Sequence, residues 1–296
     1  MLAGCKGSIG NSDPGANSST SPANPSSQGA SSESSLSQHI PVFGKEDVSV
    51  SHVGYLVTVP TTLAQYQRFQ YQLDQFVDVS AVDVTTADWA VTGLDRNFVL
   101  IAVDFDGDQL RSELRSRGFS SAGTEGRFDL YKGSRGLVAV ADGRIITSSM
   151  DDKMGLSDDE VISSLIAFDA GKQDPLPEQN PEARTLLSHV QAGDLLFIDH
   201  RFEGTYGDDS SYLASAEAVA LGGTIVNGGE SYRQEIAALF PEGEVNETEF
   251  KAWLDEALPA NSNSSELSET SDGRVLVGTR TYAINQSTAT PESTTT

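Results

Sequence analysis

Cysteine is almost missing: the 296 residues include one, Cys5. No disulfide can form within the chain, and no cysteine-rich zinc site is possible. Lysine is scarce, 6 residues against 13 arginines, and together these face 43 Asp and Glu, for a formal net charge of −24. A surface so short of cations does not hold nucleic acid by neutralising phosphates. Nor does it dock on anionic lipid through a basic patch. Aromatic residues make up 7% and apolar residues 38%, low for a globular chain but above the level of full disorder. No run of about 18 apolar residues is present to span a membrane. The four histidines, His39, His52, His189 and His200, show no metal-ligand spacing. A Gly-Xaa-Ser-Xaa-Gly elbow and a phosphate-binding glycine loop are also absent. No cofactor is expected.

The charge is unevenly placed. Residues 1–44 carry only Lys6, Asp13 and Glu33, and residues 286–296 only Glu292. The stretch from Lys45 to Asn285 holds 18 basic and 40 acidic residues, a charge of −22. Acidity is therefore a property of the body and not of a tail. The composition resembles that of proteins from salt-loving archaea. A dense carboxylate surface stays hydrated in concentrated salt, where screening removes most of its self-repulsion. An ordinary acidic mesophilic protein is the alternative.

The chain begins Met1-Leu2-Ala3-Gly4-Cys5, and Leu2 to Cys5 resembles a lipobox, where lipoprotein precursors are cut and lipidated on the cysteine. The stretch that follows is rich in Ser, Asn, Gly and Pro, and cannot bury enough apolar surface to offset its ordering entropy. Residues 1–44 are thus expected to be a lipobox followed by a disordered tether. The resemblance is to the surface lipoproteins of halophilic archaea. It implies Cys5 as the lipidation site, a membrane partner reached through the lipid anchor, and a location on the extracellular face of the cell membrane. A lipoprotein signal has a charged start and an apolar stretch before the box, so four preceding residues imply a true start upstream of Met1. If the match is accidental, the chain is cytoplasmic and Cys5 an ordinary thiol. Asn246-Glu-Thr and Asn263-Ser-Ser are weak glycosylation acceptors consistent with export, as are the triplets at Asn17 and Asn285. A protein or small-molecule partner is left open.

Periodicity and turn residues predict an α+β fold, mostly antiparallel sheets with helices on one face. Strands are expected at 48–59, 79–91, 98–105, 128–131, 137–141, 144–147, 195–202, 224–226 and 275–283. Asp142-Gly143 is a two-residue hairpin turn. Helices are expected from Pro60 to Val77, on the stripe Tyr66, Phe69, Leu73 and Phe76. Others follow Asp106 or Asp108 to Arg117, run from the Ser157/Glu160 capping box to Phe168, and cover 211–221 and 245–258. Pro175 to Pro181 reads as a linker before a short helix ending near Val190. Tyr232 to Phe240 is ambiguous. The two series resemble each other, which divides the body into α+β halves at 45–174 and 175–285, expected to be ferredoxin-like, with a disordered tail at 286–296. A single mixed domain is the alternative.

One motif carries possible chemistry. Asp104-Phe-Asp106-Gly-Asp108 follows an apolar strand and resembles the first motif of haloacid-dehalogenase-like phosphatases. The resemblance implies Asp104 as nucleophile, Asp106 as general acid/base, and a Mg²⁺ held among Asp104, Asp106 and Asp108. Lys172 and Gly207-Asp208-Asp209 faintly echo the later motifs. Asp108 stands where the family has Thr, and the short hairpins that follow do not suit a parallel-sheet enzyme. An EF-hand loop starting at Asp104 would place Gln109 and Arg115 where Gly and Glu are needed. Helix-capping acids on a halophilic surface explain the triplet more simply. Asp199 and His200 alternate to opposite faces of a strand and make a poor dyad. The leading reading is a non-enzymatic lipoprotein with a binding or structural role; the alternative is a metal-dependent hydrolase.

Overall fold

Local signals set most of the elements. In a computed structural model, the described residues are 36–42, 52–65, 82–93, 98–148, 156–201, 213–256, 263–269 and 273–284. The first strands are β1 (His52–Thr58), β2 (Trp89–Gly93) and β3 (Phe98–Ala102). Between β1 and β2 lies the short helix α1 (Pro60–Leu63). Asp106 caps α2 (Gly107–Ser116), its Oδ1 accepting from the amides of Asp108 and Gln109 at 3.0 Å. A meander follows: β4 (Ser120–Glu125), β5 (Phe128–Gly133), β6 (Gly136–Ala141) and β7 (Arg144–Ser148). Helix α3 (Asp158–Asp169) starts with the Ser157/Glu160 capping box. Helices α4 (Leu176–Gln179) and α5 (Pro181–Leu187) lead to the second series. That series is β8 (Leu195–Arg201), β9 (Ala218–Val226), β10 (Ser231–Leu239), α6 (Glu247–Glu256), β11 (Asn263–Glu269) and β12 (Val275–Ala283).

All twelve strands join one sheet in the order β11-β12-β10-β9-β8-β1-β2-β3-β7-β6-β5-β4. Every pairing among them is antiparallel. The fold is α+β and antiparallel, as the hairpin signals predict. It departs from ferredoxin-like halves, in which βαβ crossovers bring parallel strands together. Each series instead has three successively paired strands, a helix, and a returning meander whose last strand pairs with the third. In the first series β7 returns beside β3, and in the second β12 returns beside β10. The first strands of the two series, β1 and β8, pair across the middle, with Tyr55 opposite Ile198.

Helices cover both faces, where one was expected. Strand alternation sends Tyr55, Val57, Leu100, Ile146, Ile198 and Ala220 to the face under α3, α4 and α5. It sends Val99, Ile101, Val140 and Ile145 to the opposite face, under Leu110 and Leu114 of α2. Val219, Ile236 and Leu276 meet Phe250 and Leu254 of α6 on that same second face. Covered on both sides, β3 and β6 are buried at every residue, which explains their unbroken apolar runs.

Several expectations change. Residues 36–40, expected within the tether, are packed: a 3₁₀ turn at Leu36–His39 inserts Leu36 and Ile40 into the main core. The Ile40 carbonyl also accepts from the Leu176 amide at 2.9 Å. Within the strand expected at 79–91, Asp83 accepts from the Thr85 amide and hydroxyl and starts a 3₁₀ turn, so the strand begins only at Trp89. The linker at Pro175 is helix α4, since Pro sits well at a helix start. The helix expected at 211–221 is replaced, from Ala218 on, by β9, which runs straight through Gly222-Gly223. Those glycines admit close neighbours: a Cβ at 222 would strike the Gln191 carbonyl, and one at 223 the Tyr232 hydroxyl. The Tyr66–Val77 part of the first helix, and the tail, lie outside the described residues.

Candidate functional site

Asp104, Asp106 and Asp108 are all exposed at the end of β3. The phosphatase resemblance implies a parallel sheet, and here β3 lies between antiparallel β2 and β7. One Asp106 oxygen is committed to capping α2, and Asp108 lies 3.5 Å from the Arg111 guanidinium. Among the described residues, no group of three or more His, Cys, Asp or Glu is arranged to hold a metal ion. Asp106 starts helix α2, and Asp104 and Asp108 are exposed beside it. Lys172 is described, but Gly207-Asp208-Asp209 and Cys5 lie outside the described residues.

Asn246 is exposed at the start of α6. Its Oδ1 accepts from the Glu249 amide at 3.1 Å and its Nδ2 donates to the Glu249 carboxylate at 2.9 Å. The acceptor nitrogen is therefore engaged in a helix cap. The backbone of Asn263 pairs with Thr281 in β11.

The structure assembles a charge cluster at one end of the sheet. His200 on β8 stands opposite Ala218 of β9 and beneath α5. Its Nε2 lies 3.6 Å from Glu182 on the first turn of α5. The other Glu182 oxygen is 3.5 Å from Arg274, which pairs with Glu217 at 2.8 Å and donates to the Phe240 carbonyl. One histidine, two carboxylates and one guanidinium could in principle move a proton. However, the His200 side chain is 1% exposed, so no substrate atom in solvent reaches its ring. The cluster instead fastens α5 to the ends of four strands. Asp199 is also buried, on the face opposite His200, as alternation predicts.

A second cluster surrounds Trp89. His39 stacks on the indole at 4.1 Å, and the Arg144 guanidinium lies 5.0 Å from the centre of the same ring. Arg144 and Arg127 both pair with Asp169 at the end of α3, at 3.1 and 2.7 Å. Burial first, and the Arg144 charge second, push the His39 pKa down to about 4. His39 is therefore a neutral stacking partner near neutral pH. Neither cluster is visible in sequence, because its members lie up to 130 and 92 positions apart: His39 to Asp169, and Glu182 to Arg274.

No protein-family model and no curated protein matches the chain. Among solved structures, the chain is similar to "Structure of crystal form I of TP0453", at 11% identity and a TM-score of 0.47, over 78% of this chain and 88% of that one. The crystal form III structure of TP0453 is similar at 11% identity and a TM-score of 0.45, over 79% of this chain and 91% of that one.

Proposed function

We propose that this chain is a lipid-anchored domain on the extracellular face of a halophilic archaeal membrane, with a non-enzymatic binding or structural role. The observation that carries this reading is Leu2-Ala3-Gly4-Cys5, with its lone cysteine, leading into a Ser-rich stretch. The charge of −22 between Lys45 and Asn285 supports the saline setting. A thioether-linked lipid on Cys5 would anchor the chain without spanning the bilayer. Among the described residues, no helix is long and apolar enough to cross a membrane. A firmly packed start at Leu36 and Ile40 suits a domain held at the end of a tether.

The test is expression from the full gene, with its upstream sequence, in a haloarchaeal host. Mass spectrometry of the amino-terminal peptide is expected to find Cys5 lipidated. Cys5→Ser is expected to move the protein from the membrane fraction to the soluble one. Equal membrane retention of both forms, with an unmodified Cys5, would overturn the reading. Magnesium-dependent phosphatase activity that disappears in Asp104→Asn would replace it with the hydrolase.

A further inference from the structure

An acidic protein is expected to keep its few cations paired, yet one corner of this sheet does not. Between Gly107 and Ser148 seven basic residues face five acidic ones, a local excess of cations in a chain of net charge −24. Four of the seven are paired: Arg111 with Asp129, Arg127 and Arg144 with Asp169, and Lys132 with Asp159. Arg115, Arg117 and Arg135 are exposed and make no ion pair among the described residues. Topology gathers them. Arg115 is one helical turn beyond Arg111, whose guanidinium reaches β5 at Asp129. Arg117 lies in the short link from α2 to β4. Arg135 lies in the turn from β5 to β6, and a Cβ at neighbouring Gly133 would sit 2.8 Å from the Phe119 ring. Ser120 is opposite Lys132, so all three arginines flank the Ser120 end of β4.

Strand β4 ends the sheet, and among the described residues it pairs only with β5. Residues Ser120 to Thr124 are exposed. The strand holds neither Lys nor Pro, residues that guard many open edges, and its irregularity is a register shift between Ser121 and Gly123 that leaves the Gly123–Glu125 stretch regularly paired with β5. We propose that this edge is a docking site for an extended, acidic segment of another protein, added as a thirteenth strand beside β4. Main-chain hydrogen bonds would hold the segment, and the three guanidiniums would select its carboxylates. A second copy of this chain fits less well. Antiparallel pairing of two β4 strands would offer each arginine trio Glu125, which already accepts from the Ser163 hydroxyl at 2.8 Å. The proposal does not depend on lipidation of Cys5, so the two readings fail separately.

The test uses the full chain at the lowest salt that preserves its circular dichroism. The probe is a labelled decapeptide alternating Glu and Val, and a Lys/Val decapeptide serves as control. Fluorescence anisotropy is expected to show binding of the first only, and hydrogen exchange at residues 120–125 is expected to slow. Arg115→Glu/Arg117→Glu/Arg135→Glu is expected to weaken binding at least about tenfold. If that variant misfolds, the milder Arg115→Gln/Arg135→Gln pair is measured instead, with a smaller loss in the same direction expected. Absent binding, equal binding of the lysine peptide, or an affinity indifferent to the arginines would sink the proposal. Protection of β4 that rises with protein concentration without peptide would assign the edge to a second copy and likewise overturn it.

Discussion

His39 shows how position remakes a side chain. Its ring is half-buried on Trp89 beside Arg144, so its proton affinity falls to about 4 from 6.5. The unfolded chain therefore takes up this proton first. Stability from the neutral ring is whole above about pH 6.5, declines as the pH falls, and is lost below about 4. Partial exposure reduces the full linkage to about 1–2 kcal/mol. Urea midpoints measured from pH 7 to pH 4.5 should fall for the parent, and fall less steeply in His39→Phe. A parallel fall in both would show that carboxylates elsewhere account for the slope. The sequence marks His39 only as one of four scattered histidines, because its partners come from β2 and β7. By contrast Asp106, Asp142-Gly143 and Ser157/Glu160 act on neighbours within three residues, and each is legible from its local pattern.

At the scale of elements, legibility follows burial. Strands covered on two faces, such as β3 and β6, announce themselves as apolar runs. The edge strands β4 and β11 do not, since Ser-Ser-Ala-Gly-Thr-Glu and Asn-Ser-Ser-Glu-Leu-Ser-Glu read as loop. Only a neighbour's open edge turns such residues into strand. The Gly222-Gly223 pair misleads for another reason: glycine there reports crowding from Gln191 and Tyr232, not a helix end. Helix α3 is the clearest local success. Ser157 accepts from the Glu160 amide at 3.3 Å, and the Glu160 carboxylate accepts from the Ser157 amide at 2.7 Å, which holds the Glu160 pKa below its usual value. Ser157→Ala is expected to cost about 1 kcal/mol in chemical denaturation. A loss near zero would mean that packing alone maintains the helix start.

Across the described residues, most carboxylates lie outward; exceptions include Asp199, which is buried, and Asp169, whose side chain is 7% exposed and paired with Arg127 and Arg144. Self-repulsion across such a surface weakens the folded state at low ionic strength and is screened within a few ångströms in molar salt. Raising KCl from 0.1 M to about 3 M should raise the Tm continuously, beyond the range where exposed pairs such as Arg184–Glu178 are already screened. A Tm that falls on adding salt would contradict the saline reading of the charge.

The pairing of β1 with β8 also dictates an order of events during synthesis. The two strands are separated by more than 130 residues of chain, from Thr58 to Leu195. Everything from β1 to β7 emerges first and contains all the partners of β2 to β7. The first series can therefore assemble at the ribosome while one side of β1 still waits for its mate. During that interval the open strand is Val-Gly-Tyr-Leu-Val, far more adhesive than the polar edges of the finished sheet. The nascent chain thus passes through a window of vulnerability that closes only when Leu195 to Arg201 arrives. A factor that binds apolar strands, or a pause in translation after β7, would decide how many chains survive it.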